Sequence, residues 1–271
     1  WLCSLLFVPH ADFRRAEALA VVAGAWLVVA HFAAVPYMLS GISYVDSFFE
    51  SISGLTTTGA TILTDFDAHG RAFFLWRSMT QWFGGLGVIA LFVVVLPQLG
   101  IAGRQILFAE GSGATTDIIS PSVRDSARRL WILYCFLTIL EILMLHLVAG
   151  MNWFASVCHS LTTMSAGGFS PNGASIGGYN NPSAEWIIIV FMLLSGMSFP
   201  LIWLGLTRHP REIIRDGEFR FYFLCMSFGA VGVAILLAGG IPDLEHLRIG
   251  FFQSASLISS TGFASVDYAQ A

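Results

Sequence analysis

The stretch SISGLTTTGAT, residues 51–61, places four threonines and two glycines between two long apolar segments. Its surroundings recur near the end of the chain. FESISGLTTTG (49–59) aligns without a gap with FQSASLISSTG (252–262), and the residue numbers differ by 203 throughout. Self-similarity of this kind indicates a repeated structural unit, which has to be recognised before any other feature is interpreted.

A third copy of this stretch, LTTMSAGGFS (161–170), is less regular. We match Gly168 with Gly59, which sets the residues SAG opposite the three threonines. This match predicts that the short helix before the second copy is about one turn longer than the one before the first. Gly167 remains a rival choice for the matching glycine. The predicted unit is a long helix, a half-length helix, a glycine-bearing loop and a second long helix.

The composition indicates a membrane protein. Of the 271 residues, 56% are hydrophobic and only 11% are charged, whereas a soluble domain has roughly 25% charged residues. The net charge of −4 predicts no nucleic-acid partner. The four cysteines form no CxxC pair, so we expect neither a disulfide framework nor a metal site. The chain begins with Trp1 and ends in VDYAQA without a closing helix, which predicts a fragment.

Hydropathy predicts an all-α polytopic fold. The hydrocarbon core of a bilayer requires about 20 helical residues, and five segments satisfy this: 18–39, 72–96, 130–149, 185–206 and 221–240. Residues 1–8 are expected to be the tail of an earlier span. Three shorter pieces, at 47–55, 153–164 and 251–259, are too short and too polar to cross. A short helix followed by irregular chain predicts a re-entrant loop buried in protein or lining water.

These segments predict the following organisation. Residues 1–17 are the end of a preceding segment and a cytosolic linker, 18–98 the first repeat, 99–129 a cytosolic connection, 130–207 the second repeat, 208–220 a further connection and 221–271 a partial third repeat.

Arginine placement supports re-entrant loops. If the short pieces return to the side they came from, ten of the 13 arginines share one face, which the positive-inside rule makes cytoplasmic. They are Arg14, Arg15, Arg104, Arg124, Arg128, Arg129, Arg208, Arg211, Arg215 and Arg220. Arg71, Arg77 and Arg248 lie on the other face, toward which all three loops open.

Such loops are suited to cations. Rings of backbone carbonyls replace the hydration shell of a permeating ion, and glycine permits the positive φ that turns successive carbonyls the same way. Each preceding half-helix directs its partly negative C-terminal end at the loop. One loop cannot surround an ion, so we expect the copies to face one another around an axis.

The stretches SGLTTTGAT (53–61), QWFGGLGVI (81–89), LPQLGIAGRQILFAE (96–110) and SAGGFSP together resemble the Trk/Ktr/HKT superfamily of potassium transporters, and most closely its bacterial TrkH-like membrane subunits. The resemblance covers about residues 14–265. It implies four repeats of the type M1–P–M2 (helix, half-helix with filter loop, helix) around one pore, the fourth lying beyond Ala271. The resemblance also implies that glycine rather than serine at position 59 favours potassium over sodium.

The resemblance also implies a site and partners. The filter residues would be Thr57, Thr58, Gly59, Ser165, Ala166, Gly167, Gly168, Ser260, Thr261 and Gly262. They would bind the transported potassium ion through backbone carbonyls, with no cofactor in this chain. A homodimer in the bacterial inner membrane is implied, together with a cytosolic nucleotide-binding regulatory subunit of the TrkA/KtrA kind.

Two acidic residues are further candidates. Glu50 begins a predicted half-helix near the outer surface, where a negative charge either favours the helix N-terminus or draws cations to a vestibule. Glu141 lies in the middle of a predicted span, where a charge is costly. It either contributes to the ion path or has a structural role.

Two other functions remain open. An intramembrane enzyme could use His159 and Ser160 as base and nucleophile, although adjacent residues on a helix point about 100° apart. A secondary transporter with inverted repeats is the other alternative. It would require repeats of opposite direction, whereas the repeats in this sequence share one direction. We therefore predict a transport protein, not an enzyme.

Overall fold

The computed structural model describes residues 15–90, 123–207 and 210–266, and within these ranges the regular structure is entirely helical. Ten α-helices are present there. Several predicted segments lie wholly or partly outside the described residues: the preceding segment at 1–8, the end of the span 72–96 and most of the connection 99–129. The domain boundaries given above stay predictions.

The first unit consists of three helices, α1 (Arg15–Leu39), α2 (Tyr44–Leu55) and α3 (Arg71–Ala90). Helix α2 is the predicted half-helix. Its N-cap is Ser43, whose hydroxyl accepts a hydrogen bond from the amide of Asp46 at 3.2 Å. An N-cap of this type satisfies one of the unpaired amides of a first helical turn. Helix α2 therefore begins three residues before the predicted start.

The second unit begins with α4 (Val123–Leu143), which continues as a π-helical turn over Met144–Val148. The half-helix α5 covers Trp153–Met164, as predicted, after an N-cap at Asn152. Both α2 and α5 contain 12 residues. The expectation of an extra helical turn in the second copy is therefore wrong, because the two half-helices differ in sequence but not in length.

The predicted span 185–206 is broken. It forms α6 (Pro182–Ser195) and α7 (Phe199–Thr207), whose axes differ by 104°. A Cβ at Gly196, the C-cap of α6, would clash with the hydroxyl of Tyr222. Pro200 lies in the first turn of α7, where proline is tolerated, and without an amide hydrogen it cannot continue the hydrogen-bond ladder of α6. Close packing and proline chemistry therefore explain a break that hydropathy cannot detect.

The third unit contains α8 (Pro210–Arg215), α9 (Gly217–Ala238) and the half-helix α10 (Leu244–Ile258). Helix α10 has 15 residues and starts well before the predicted position. The cause is the N-cap Asp243, whose Oδ1 accepts hydrogen bonds from the amides of Glu245 and His246, both at 2.9 Å. This polar first turn had no apolar periodicity to reveal it.

Within the described residues, two helical segments are long and apolar enough to cross a bilayer, Ala127–Val148 and Gly217–Ala238. The bent pair α6–α7 makes a third if it is one broken span. A shorter apolar stretch, Ala23–Leu39, lies in α1. The exposed side chains of these helices are largely apolar, as on α9, where Phe228 is 85% and Leu236 83% exposed. Such a surface is compatible with lipid and not with water.

The same pattern of helix contacts recurs from one unit to the next. Within each unit the first long helix packs against its half-helix, as α1 does on α2, α4 on α5 and α9 on α10. The second long helix then packs against the half-helix of the following unit, since α3 contacts α5 and α6 contacts α10. Successive half-helices therefore share contacts with the long helix between them, and the loops at their C-terminal ends lie against one another.

Candidate functional site: three converging loops

The three loops that follow the half-helices share one backbone conformation. We call residues 56–60, 165–169 and 259–263 the first, second and third loops. In each, a glycine four residues after the half-helix has positive φ: 77° at Gly59, 73° at Gly168 and 81° at Gly262. Two residues earlier, a non-glycine residue also has positive φ. These residues are Thr57, Ala166 and Ser260, with φ of 53°, 53° and 58°.

This repetition decides between the two candidate glycines of the second loop. Gly168, not Gly167, has the left-handed conformation of Gly59 and Gly262. Left-handed backbone at a residue with a side chain costs roughly 1–3 kcal/mol. Its presence at the same place in all three loops shows that the surrounding structure enforces the conformation.

The hydrogen bonds of the loops orient their carbonyls. The amides of Thr57 and Thr58 donate back to Gly54 and Ser53 of α2, both at 2.9 Å. The amides of Ala166 and Gly167 donate back to α5 in the same way, as do those of Ser260 and Gly262 to α10. In a trans peptide the carbonyl points opposite to the amide hydrogen. The carbonyls joined to these amides therefore point away from the half-helices.

The loops also touch one another. A Cβ added to Gly59 would clash with the carbonyl oxygen of Gly167, and a Cβ added to Gly168 would clash with the carbonyl oxygen of Thr261. Each glycine therefore lies against a carbonyl of the next loop. At Gly262 a Cβ would meet no described atom within 4 Å. The three loops therefore lie against one another in chain order, the first on the second and the second on the third.

Hydroxyl pairs close the first and third loops. Thr56 Oγ1 and Thr58 Oγ1 are 2.8 Å apart, and Ser259 Oγ and Thr261 Oγ1 are also 2.8 Å apart. The second loop has glycine at the corresponding position, residue 167. Its fixed contact is instead Gln81 of α3, whose side-chain amide lies 2.6 Å from the Gly167 carbonyl oxygen.

A buried ion pair supports the first loop. Glu50 and Arg77 are 0% and 1% exposed, and Arg77 Nε lies 3.0 Å from Glu50 Oε2. The other carboxylate oxygen accepts from the hydroxyl of Thr61 at 2.6 Å and from the amide of Ile62 at 2.8 Å. Glu50 thus ties α2 to the chain that follows the first loop. Its burial contradicts the exposed position that a vestibule role requires.

Arg77 also connects two loops. Its guanidinium lies 3.9 Å from the ring centroid of Phe169 and donates to the carbonyl of Ser170 at 3.3 Å. Both residues directly follow Gly168 of the second loop. The Arg77 guanidinium therefore links the residues that follow the first loop to the residues that follow Gly168.

Neutral side chains occupy the position of Glu50 in the other two half-helices. His159 and Gln253 precede Gly168 and Gly262 by nine residues, as Glu50 precedes Gly59. His159 Nε2 lies 3.1 Å from Ser170 Oγ, and Gln253 Nε2 donates to Ser265 Oγ at 3.2 Å. Each half-helix therefore uses the same position to hold the chain beyond its loop.

The contacts of His159 disfavour an enzyme. Its two ring nitrogens lie against Ala155 O, at 2.8 Å, and Ser170 Oγ. The hydroxyl of Ser160 is buried without a hydrogen-bond partner among the described residues. The two side chains therefore do not form the base–nucleophile pair that catalysis would require.

Glu141 is buried on α4, which packs on α5. Its side chain is 0% exposed, and both carboxyl oxygens lack a hydrogen-bond partner within the described part of the chain. A buried carboxylate without a partner is costly. We therefore expect an uncharged acid at this position and assign it no contact with an ion.

Sequence reasoning missed Gln81 and Arg77. Both belong to a segment that hydropathy predicts as a span, where polar side chains are expensive. The same rule that marks Glu141 also marks these two residues. Their partners, 86 and 93 residues further along the chain, could not be identified from one sequence.

Comparisons with known proteins agree with this geometry. The chain matches the model of the TrkH family, described as a cation transport protein, over residues 6–271. It is 34% identical to the Trk system potassium uptake protein TrkH of Halomonas elongata, covering 98% of this chain and 57% of that protein. It is 36% identical to the Trk system potassium uptake protein TrkG of Escherichia coli, covering 95% of this chain and 54% of that protein.

A solved structure is similar as well. The crystal structure of the potassium transporter TrkH from Vibrio parahaemolyticus matches with a TM-score of 0.80 at 31% identity, covering 95% of this chain and 53% of that one. The predicted M1–P–M2 architecture is thereby confirmed. The chain spans about half the length of the curated relatives it matches.

Proposed function

Because the chain belongs to the TrkH family of cation transport proteins, we propose that its three loops form part of the potassium-coordinating pathway of a Trk-type uptake transporter. The ligands are backbone carbonyl oxygens of the filter residues. These are Thr57, Thr58, Gly59, Ser165, Ala166, Gly167, Gly168, Ser260, Thr261 and Gly262. Carbonyl rings of this type replace the hydration shell of potassium in channel filters.

The observation that carries the proposal is the contact of each glycine with the next loop. Gly59 lies against the Gly167 carbonyl, and Gly168 lies against the Thr261 carbonyl. Consecutive contacts of this kind support an arrangement of the loops around one axis. The half-helices α2, α5 and α10 end at these loops, so their partly negative C-terminal ends favour a cation there. A fourth loop, as the resemblance to the superfamily implies, would complete the ring.

The assembly is part of the proposal. The relatives are named as proteins of a Trk system, and we infer a multi-component transporter. Its components are a homodimer of the membrane subunit and a cytosolic nucleotide-binding regulatory subunit. We place the protein in the bacterial inner membrane, with the three loops facing outside and the arginine-rich connections in the cytoplasm.

The test is cation uptake by the full-length transporter in cells that lack other potassium uptake systems. Gly59→Ser introduces a side chain at φ 77° and against the Gly167 carbonyl. We expect the preference for potassium over sodium to fall by about tenfold or more, equivalent to about 1.4 kcal/mol.

Gly70→Ser is the matched control. Gly70 lies in the same connection between α2 and α3, and a Cβ there would meet no described atom within 4 Å. We expect it to leave uptake and preference at the wild-type level. If Gly59→Ser reaches the membrane in normal amounts and keeps the wild-type ion preference, the assignment of the loops is wrong.

A further inference from the structure

The second loop is held by a side chain from the preceding unit. Gln81 of α3 is 0% exposed, and its amide spans Gly168. Nε2 donates to the carbonyl of Gly167 at 2.6 Å, and Oε1 accepts from the amide of Phe169 at 3.0 Å. Since both polar ends of the amide are used, its orientation is fixed and the two flanks of the glycine are held at a set spacing.

This contact explains why residue 167 is glycine. Gly167 does not have the left-handed φ of Gly59, Gly168 or Gly262, so its backbone does not demand glycine. A Cβ at Gly167 would instead lie within 2.7 Å of the carbon, oxygen and nitrogen of the Gln81 amide. Because Gln81 is buried and both ends of its amide are hydrogen-bonded, a side chain at residue 167 would displace that amide and break these hydrogen bonds.

The first and third loops have a different side-chain contact at the position of Gly167. They have Thr58 and Thr261 at the position of Gly167, and each hydroxyl pairs with the hydroxyl two residues earlier at 2.8 Å. Ser165, two residues before Gly167, has no such partner to pair with, and its hydroxyl donates to Leu161 and Thr162 of α5. The Gln81 amide occupies the side-chain space that a threonine would need.

We propose that Gln81 is a positioning residue of the second loop, which takes the place of the hydroxyl pair and sets the direction of the Gly167 carbonyl. Because the Gly167 carbonyl oxygen accepts a hydrogen bond from Gln81, it is a weaker ligand for a cation than the carbonyl oxygens of Thr58 and Thr261. The loops are then chemically unequal, and the second one tunes ion preference. This inference on ion preference rests on the proposed function.

The test is a double-mutant cycle in the full-length transporter, purified in detergent, with thermal unfolding as the first measurement. Gly167→Thr alone forces a side chain into Gln81 and is expected to lower the unfolding temperature strongly. Gln81→Ala alone removes two hydrogen bonds, each worth a factor of about 3 to 10 in an equilibrium constant. The combined variant frees the space and restores the sequence pattern of the first and third loops. We expect it to be more stable than Gly167→Thr.

Gly168→Ala provides the matched control. Its clash is with the Thr261 carbonyl and its φ is 73°, so neither problem involves Gln81. Combining it with Gln81→Ala should give no rescue. If the combined variant of Gln81 and Gly167 shows no rescue either, or if both combinations are rescued equally, the specific exchange is refuted.

The second measurement, ion uptake, distinguishes a role of Gln81 in ion preference from a purely structural role. In Gln81→Leu, which keeps most of the volume, we expect the ratio of the apparent KM values for potassium and rubidium to change by about threefold or more. A stability loss with an unchanged ratio would overturn the role in ion preference. If the wild type takes up no potassium, the proposed function fails, while the unfolding cycle still tests the contact of Gln81 with the second loop.

Discussion

The first and second loops have the same backbone and are held by different chemistry. The φ values at Thr57 and Gly59 match those at Ala166 and Gly168 to within 4°. Yet a hydroxyl pair closes the first loop, and the Gln81 amide holds the second. The comparison teaches that the fold conserves the direction of the carbonyls within this chain, while the groups that enforce it vary from repeat to repeat.

The supports behind these loops differ in charge. Behind the first loop lies the buried pair of Glu50 and Arg77, and behind the second lies neutral His159. Removing one partner of a buried ion pair leaves an uncompensated charge, whereas removing a neutral hydrogen bond costs far less. Substitutions should therefore have unequal effects at equivalent positions, and the following predictions test this difference.

The largest effect is expected for Arg77→Met. It leaves the Glu50 carboxylate buried without its cation and should reduce the free energy of unfolding by about 3–5 kcal/mol. Chemical unfolding of the purified protein measures this. The double variant Glu50→Gln/Arg77→Met should be more stable than Arg77→Met, because no charge is left unpaired. If the double variant is less stable than both single ones, the ion pair is not the source of the loss.

An intermediate effect is expected for His159→Gln. Glutamine occupies the equivalent position in the third half-helix, as Gln253, where it reaches the chain beyond the loop. A neutral exchange should cost about 1 kcal/mol or less if only the hydrogen bond to Ser170 is weakened. His159→Glu would place an acid in a site without a matching cation of its own and should cost several times more. Equal losses of stability for His159→Gln and His159→Glu would contradict the expectation that this position accepts only a neutral side chain.

A smaller effect is expected when a hydroxyl pair is removed. Thr58→Val keeps the branched shape and removes the contact with Thr56, and Thr261→Val removes the equivalent contact with Ser259. Each should lower stability by about 0.5 kcal/mol, the lower end of what one hydrogen bond contributes, measured by thermal unfolding. Both pairs have the same length, but the Ser259–Thr261 pair is buried and the Thr56–Thr58 pair is exposed, so the loss should be somewhat larger for Thr261→Val. A large loss for only one of them would show that the first and third loops are not equivalent.

The smallest effect is expected for Glu141→Gln. If the acid is uncharged, the amide replaces it with similar shape and without a new charge, and stability should change by less than about 0.5 kcal/mol. Potassium uptake should stay within twofold of wild type, a factor equivalent to about 0.4 kcal/mol. A loss as large as that of Arg77→Met would mean that Glu141 carries a charge on which the protein depends.

The repeated loops could be located from the sequence, but the side chains that hold them in place could not. The alignment of 49–59 with 252–262 located two loops, and the match of Gly168 to Gly59 located the third, because the repeated glycines serve a backbone need that is local. The burial of Glu50 and the position of Gln81 depend on residues distant in the chain, and so does the contact of Gly196 with Tyr222 at the break between α6 and α7. Hydropathy and spacing contain no information about such partners.

The central claim is that carbonyl oxygens of the three loops jointly coordinate potassium on one axis. Anomalous diffraction from crystals of the full-length transporter grown in rubidium, a heavier substitute for potassium, tests it most directly. The account predicts an ion peak bordered by all three loops, between the backbones of Gly59, Gly168 and Gly262. Rubidium peaks found only elsewhere, with no ion between these loops, would contradict it.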